Sequence, residues 1–219
     1  MGNPTPHLLS DINARDKSWY AYLFENMRTV DFANFAQNPL TIVTYNYDRS
    51  IDAYLRRSLI TLYDRTEADV EVTMKKIPII HLHGQLGTLK DNPYVQHRPD
   101  SPSYLEALKR AKEGIKIIHE VDGADSDPEY TKARNAIREA HKVIFLGFGF
   151  GRENLKRLKM RESISDPIYA TAFGMTDVER RTVSAEIGRG AVYEWGGDQE
   201  NILGFLRRSG CLERKADER

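Results

Sequence analysis

The fold is decided by the stretch Val143-Ile144-Phe145-Leu146-Gly147-Phe148-Gly149-Phe150, in which an apolar run ends in alternating glycines. A run of apolar residues is typical of a strand inside a parallel sheet, where helices cover both faces. Helical spacing begins shortly afterwards, at Asn154. The stretch therefore predicts one strand, one turn and one helix of a parallel α/β fold.

The same change of period recurs along the chain from residue 40 onward. It predicts strands at residues 40–44, 77–82, 115–119, 143–148, 168–173 and 191–195. It predicts helices at residues 50–59, 103–113, 129–141, 154–159, 177–187 and 199–208. We therefore expect a Rossmann-like, mostly parallel sheet of about six strands with helices on both faces.

Several helix ends carry recognisable capping signals. Ser101-Pro102 and Asp127-Pro128 each place a capping oxygen before a proline at the first helical position. Thr176 and Glu179 have the spacing of a capping box, and Gly210 follows the last helix. These signals support the predicted boundaries.

The domain organisation is predicted as one Rossmann-type domain at residues 40–210, between a helical segment at 1–39 and a charged tail at 211–219. Residues 61–76 fit either a charged helix or an extra pair of strands. Residues 85–103 contain three prolines and are predicted as a long loop near the site.

Composition limits the function classes. Lysine plus arginine and aspartate plus glutamate both number 32, so no long cationic face for nucleic acid is expected. Cys211 is the only cysteine, which excludes an intrachain disulfide and a cysteine-built zinc site. No apolar run approaches the roughly 18 residues of a membrane span, and no secretory signal begins the chain. We expect a cytoplasmic protein without a membrane partner.

The first group of candidate site residues is Thr44-Tyr45-Asn46-Tyr47-Asp48, directly after a predicted strand. Polar groups at the carboxyl end of a parallel strand point into the ligand crevice of such folds. The alternative interpretation is structural: Asp48 caps the next helix and Asn46 forms a turn.

The second group is His81-Leu82-His83-Gly84, at the end of the next strand. A histidine there can act as a general base near neutral pH, and Gly84 lets the backbone approach a ligand closely. The alternative is a hydrogen-bonded core histidine, an interpretation that suits His81 better than His83. No metal site is expected, because no acidic or cysteine ligand stands at a complementary spacing.

The third group is the glycine-rich turn at Gly147, Gly149 and Gly151. Glycines permit close approach of backbone amides to a ribose or phosphate, although a structural turn is the alternative. The dinucleotide fingerprint is not met, because Arg152 stands where its third glycine is needed. The strand ends around Asn46, His83 and Gly147 are predicted to gather into one nucleotide-sized site.

Four motifs in order carry a resemblance to a known family: Thr44-x-Asn46-Tyr47-Asp48, His81-Leu82-His83-Gly84, Phe145-Leu146-Gly147-Phe148-Gly149-Phe150 and Thr171-Ala172-Phe173-Gly174-Met175-Thr176-x-x-Glu179. With these motifs the chain resembles the prokaryotic SIR2-like, sirtuin-related family over residues 38–208. The resemblance implies an NAD-binding fold that cleaves the nicotinamide–ribose bond. Asn46 would be catalytic with His83 as the base, and the cofactor contacts would be Thr44, Tyr45, Asp48, Gly84, Gly147, Phe148 and Gly149.

Two departures from the family pattern shape the expected function. Sirtuin deacetylases resemble each other in a four-cysteine zinc module, which one cysteine cannot build. The chain is more similar to zinc-free NAD-hydrolysing effectors of bacterial anti-phage defence, which act as homo-oligomers or with a partner protein or fused sensing domain. The family's glycine-rich G-A-G-x-S turn is also missing before Trp19.

The missing turn leaves alternatives open. The chain is either a fragment or a form without the phosphate-binding turn, and the second function hypothesis is a non-catalytic nucleotide-binding or protein-interaction module. A third hypothesis, an oligomerisation domain, would be supported if aromatic residues such as Tyr20, Phe24 and Phe35 formed an exposed patch. Hydrolysis and transfer of ADP-ribose are both compatible with the motifs.

Overall fold

The computed structural model describes residues 18–85, 109, 114, 127–163, 167–188 and 193–213. The chain divides into two compact units. We call Thr29–Ala133 the histidine unit, and Met1–Arg28 together with Arg134–Arg219 the glycine unit. The predicted strand at 115–119 and the predicted helix at 103–113 lie outside the described elements.

Helices and parallel strands alternate along the described residues. In chain order the elements are α1 (Trp19–Met27), α2 (Phe32–Phe35), β1 (Ile42–Thr44), α3 (Ser50–Tyr63), α4 (Glu67–Met74), β2 (Ile79–His81), α5 (Pro128–Glu139), β3 (Val143–Phe145), α6 (Arg152–Arg157), α7 (Met160–Ser163), β4 (Ile168–Ala170), α8 (Asp177–Ile187), β5 (Tyr193–Trp195) and α9 (Ile202–Ser209).

The histidine unit is built on the parallel pair β1 and β2, in which Thr44 is aligned with His81. The pairing continues past the strand end, because the Leu82 amide donates to the Thr44 carbonyl oxygen at 2.9 Å. Since parallel strands run in the same direction, the polar residues that follow β1 and β2 emerge at the same edge. The core includes Leu55 and Leu59 of α3, both fully buried.

The segment 61–76, for which the sequence allows two alternatives, is helical. Helix α3 runs to Tyr63 and ends at Asp64, which adopts a left-handed φ of 49°. Helix α4 then starts at a capping box formed by Thr66 and Asp69. The alternative of an extra strand pair is therefore wrong.

The glycine unit is built on the parallel strands β3, β4 and β5, with β4 in the middle. Helix α9 contributes the fully buried Phe205 and Leu206, which pack with Cys211. Trp19 and Tyr22 of α1 pack against this cluster, as expected for aromatic residues of a helix on a sheet. Phe24 is also buried, as is Phe35 in the histidine unit, so these two rings do not supply the exposed patch that would have supported an oligomerisation domain.

The prediction of a mixed α/β fold with parallel strands is confirmed, but its sheet is smaller than expected. The described residues contain five strands in sheets of two and three, rather than one sheet of about six. Each strand has three residues, because polar turns and glycine turns follow at once. Beyond β3, for example, Gly147 adopts a φ of 61°, which a strand residue does not.

The capping predictions within the described residues are confirmed. Thr176 and Glu179 form the reciprocal capping box, and the Asp127 carboxylate accepts the Glu129 amide at 2.8 Å. Gly210 ends α9 with a φ of 58°. The last helix starts three residues later than predicted, because Asn201 caps it. Within the described ranges, no helix has both the length and the apolar character needed to cross a membrane.

Candidate functional site

Asn46 is held by hydrogen bonds on both sides of its main chain while its side chain is exposed. Its amide donates to the Thr44 hydroxyl at 3.0 Å, which forms a tight turn just after β1. Its carbonyl oxygen lies 3.0 Å from Nδ1 of His81, the last residue of β2. The residue is solvent-exposed. The result is a fixed backbone that presents a side-chain amide at the carboxyl edge of a parallel sheet.

His81 is buried and has a partner at each ring nitrogen. Nδ1 faces the Asn46 carbonyl oxygen, and Nε2 lies 3.4 Å from the Asp52 carboxylate. Arg49 lies on the other side of that carboxylate, with a nitrogen-to-oxygen distance of 3.3 Å. The interpretation of His81 as a hydrogen-bonded core histidine is therefore confirmed.

Asp52 is a buried carboxylate that stays charged. Burial acts to raise its pKa, but the hydrogen bond from His81 and the nearby positive charge of Arg49 outweigh that effect, so the pKa is lowered overall. The side chain is held on the first turn of α3, where the helix dipole also favours an anion. Asp52 therefore anchors the far side of the His81 ring.

His83, the predicted base, is also buried, with 5% of its surface exposed. Its Nε2 lies 3.4 Å from the hydroxyl oxygen of Tyr130 on helix α5. The Tyr45 ring packs edge-on against the imidazole at a centroid distance of 4.9 Å, and Tyr47 lies at 6.0 Å. The structure thus brings His83, Tyr45 and Asn46 to one sheet edge, with the imidazole enclosed by aromatic rings.

Asp48 and Gly84 have local structural roles. The Asp48 carboxylate accepts the Ser50 amide at 2.9 Å, which forms a local turn just before the helix. The N-cap of the helix is Arg49, without a side-chain cap, so Asp48 is not the capping residue that the structural interpretation expected. Gly84 has a φ of 78°, and its amide donates to the His81 carbonyl oxygen at 3.2 Å. A residue with a side chain is strained at that φ, so glycine is needed for the chain to turn away from β2.

The glycine turn belongs to the other unit and is tied to its own sheet. The Gly147 amide donates to the Thr171 hydroxyl at 2.8 Å, and that hydroxyl donates to the Phe145 carbonyl oxygen at 3.3 Å. Of the glycines at 147 and 149, only Gly147 has a positive φ. A side chain built at Gly149 would meet no atom within 4 Å. Gly149 therefore has open space at its Cα.

Phe148 lies in a cluster of aromatic rings. It stacks on Phe145 at a centroid distance of 5.5 Å and meets Phe150 edge-on at 5.0 Å. Phe150 in turn packs against Trp195 at 5.4 Å. Phe150 adopts a left-handed φ of 50°, a strained conformation for a side-chain residue that this packing holds. Packing within this cluster accounts for the phenylalanines of the turn.

Within the described residues, no group of three or more histidine, cysteine or acidic side chains is arranged to hold a metal ion. Cys211 is a free, buried thiol, and its burial raises its pKa.

A family model described as SIR2-like domain matches residues 40–183. The chain belongs to the SIR2-like domain family. No curated protein and no solved structure gives a match. The matched range includes both strand ends with the histidines and the glycine turn. Membership supports an NAD-binding, sirtuin-related domain, which the motifs had indicated.

Two residues of this SIR2-like domain that sequence reasoning missed are Arg49 and Asp52. Both appeared to belong to an ordinary helix start. A signal for Asp52 was present, because it stands beside Ile51 and three residues before Leu55, on the apolar face of α3. A carboxylate on a buried face requires a partner, and that requirement points to a buried polar network.

Proposed function

We propose that this SIR2-like domain is an NAD glycohydrolase that breaks the bond between nicotinamide and ribose. The observation that carries the proposal is the geometry of Asn46. Its main-chain amide and its main-chain carbonyl oxygen each make a hydrogen bond of 3.0 Å, and the residue is solvent-exposed. A preorganised dipole of this kind stabilises charge that develops in a transition state.

The chemistry assigned to the residues follows from that arrangement. The Asn46 amide oxygen orients the ribose and supports the positive charge that develops on it as the glycosidic bond breaks. The bond's electron pair leaves with nicotinamide, and a water oxygen bonds to the ribose carbon. His83 accepts the proton that the water loses. Thr44 and Tyr45 border this part of the site.

Each unit offers a feature that supports the proposal by itself. Asn46 offers an exposed amide, and Gly149 has an open Cα. Gly147, Phe148 and Gly149 are proposed as contacts for the adenosine half, and Asp48 and Gly84 as contacts near the ribose. No zinc takes part in this proposal.

A second candidate function is a nucleotide-binding module without catalysis. It is favoured by the state of His83, which is 5% exposed, bonded to Tyr130 and packed against Tyr45. A base that is 5% exposed has little direct access to water. An effector that is activated by assembly or by a partner would show the same state before activation.

The biological role we propose is that of an effector in bacterial anti-phage defence, acting in the cytoplasm as a homo-oligomer or with a partner protein or fused sensing domain. The family resemblance supports this role. An enzyme that consumes NAD needs such control, because NAD is required throughout metabolism.

The proposal is tested by proton NMR of NAD incubated with the parent chain, Asn46→Ala and Asn34→Ala. Asn34 is also an exposed asparagine, on helix α2, and serves as the matched control. We expect the parent and Asn34→Ala to release free nicotinamide, and Asn46→Ala to release it about 100-fold more slowly. Equal release by Asn46→Ala would contradict the site.

His83→Ala tests the base in the same assay and is expected to abolish release. Because the imidazole is buried, the thermal unfolding of this variant must be measured beside its activity. If the parent chain broadens the NAD signals without releasing nicotinamide, the second candidate function is supported instead.

A further inference from the structure

We propose that His81, held by Asp52 and Arg49, is a positioning residue that sets the backbone of Asn46 for the proposed reaction. The inference rests on the proposed function for its catalytic consequence. It adds three buried or half-buried residues that the family motifs did not identify as functional.

Nδ1 of His81 is the donor of the bond to Asn46. The partner of Nδ1 is a main-chain carbonyl oxygen, which can only accept a hydrogen bond. Nδ1 therefore carries a hydrogen and donates it to Asn46. This bond joins the end of β2 to the turn after β1, so the loss of the donor releases one of the two constraints on Asn46.

Nε2 of His81 has a different partner, the side chain of Asp52. Its partner is a carboxylate that is held charged, with Arg49 on its other side. The carboxylate oxygen lies 3.4 Å from Nε2, so a second contact acts at the other ring nitrogen. His81 thus lies between two oxygen partners, one at each ring nitrogen, and these contacts restrict the rotation of its ring.

A network that positions Asn46 differs from one that only stabilises the core in which of its bonds matters for cleavage. If the network served only to satisfy buried polar groups, loss of the bond at Nδ1 and loss of the bond at Nε2 would affect cleavage equally, provided that the fold survives. A positioning network depends chiefly on the bond from Nδ1 to Asn46. A displacement of about 1 Å in a reacting group costs roughly 100-fold in rate, so that bond has a large effect on cleavage.

Two substitutions at His81 separate these bonds. The side-chain amide of asparagine occupies the position of Nδ1, and the longer glutamine places its amide nearer the position of Nε2. His81→Asn therefore keeps the donor to Asn46 and loses the contact with Asp52. His81→Gln does the reverse, with a similar loss of ring packing.

The experiment compares the two variants in nicotinamide release and in hydrogen–deuterium exchange of residues 45–48. We expect His81→Gln to lower kcat about 100-fold with KM largely kept, and to speed exchange in this segment. His81→Asn should stay within about threefold of the parent in kcat, because its donor to Asn46 is retained.

Asp52→Asn is the second variant, for use if both His81 substitutions unfold the chain. The new side-chain amide keeps the shape of the carboxylate and a polar partner at Nε2, so the bond from Nδ1 to Asn46 is retained. Exchange of residues 45–48 should therefore stay at the parent rate.

The outcomes distinguish the positioning role of His81 from the proposed enzyme activity. Equal behaviour of folded His81→Asn and His81→Gln in exchange overturns the positioning role, whatever the activity of the parent. For unfolded His81 variants, faster exchange in Asp52→Asn overturns it. A parent chain that releases no nicotinamide, with the exchange difference intact, rejects the proposed enzyme and supports the role of His81 in holding Asn46.

Discussion

The strands that lead into the two predicted parts of the site end in different ways. After β1 and β2 the chain is held by buried charges, with His81 between Asn46 and Asp52. After β3 it is held by one hydroxyl, that of Thr171, and by packed aromatic rings. The comparison indicates that a turn at the end of a parallel strand can be fixed either by a polar network or by packing. The two kinds of support should respond differently to substitution and to pH.

The largest effect is expected where packing holds the turn. Phe145→Ala removes a ring that contacts both Phe148 and Phe150 in the buried cluster. We expect it to lower the free energy of unfolding by about 3–5 kcal/mol in denaturant titrations. Phe173→Ala is the control, because Phe173 is 64% exposed. Similar losses for the two variants would contradict a cluster that supports the turn.

The polar network should be distinguished by its dependence on pH. Asp52→Asn removes a buried charge beside Arg49 and His81, and we expect a loss of about 1–3 kcal/mol at neutral pH. The folded-state pKa of Asp52 is lowered, so its stabilisation is complete above the unfolded value of about 4. It is lost as pH falls through the lower folded value.

Unfolding curves of the parent and Asp52→Asn, measured from neutral pH down to acid, check this sign. The difference in stability between them should shrink in acid. The difference between the parent and Phe145→Ala should not follow that course, since no titrating group is removed. A constant difference for Asp52→Asn would show that its charge contributes nothing.

The smallest effects separate two neighbouring glycines. Gly147→Ala forces a side-chain residue to a φ of 61° and should cost about 1 kcal/mol of stability. Gly149→Ala should cost nearly nothing, because a side chain there meets open space. Gly149→Val should nevertheless weaken NAD binding in NMR titrations if the turn faces the ligand. Unchanged binding would remove Gly149 from the site.

Sequence reasoning succeeded where the signal is local. The capping box of Thr176 and Glu179 depends on residues in one helical turn and was predicted correctly. The strand positions followed from apolar runs, although each strand is shorter than predicted. The box at Thr66 and Asp69 is equally local, and was missed because its segment also fitted a strand pair.

The site was predicted less completely, because its bonds are not local. The sequence identified Asn46 and His83 through family motifs, and it assigned His81 to the core. It could not show that Asn46 and His81 are bonded across 35 positions, or that Tyr130 meets His83 across 47. The first of these pairs meets because the parallel register aligns Thr44 with His81.

The sequence by itself determined the family, the alternation of strands and helices, and the order of the motifs, because each depends on residues within a few positions. The tertiary structure alone decided which polar groups meet. Parallel pairing of β1 with β2 brings His81 beside the Asn46 carbonyl oxygen, and the buried face of α3 brings Asp52 to the same ring. The physical reason is that a buried hydrogen bond needs two partners, and only the folded register supplies the second.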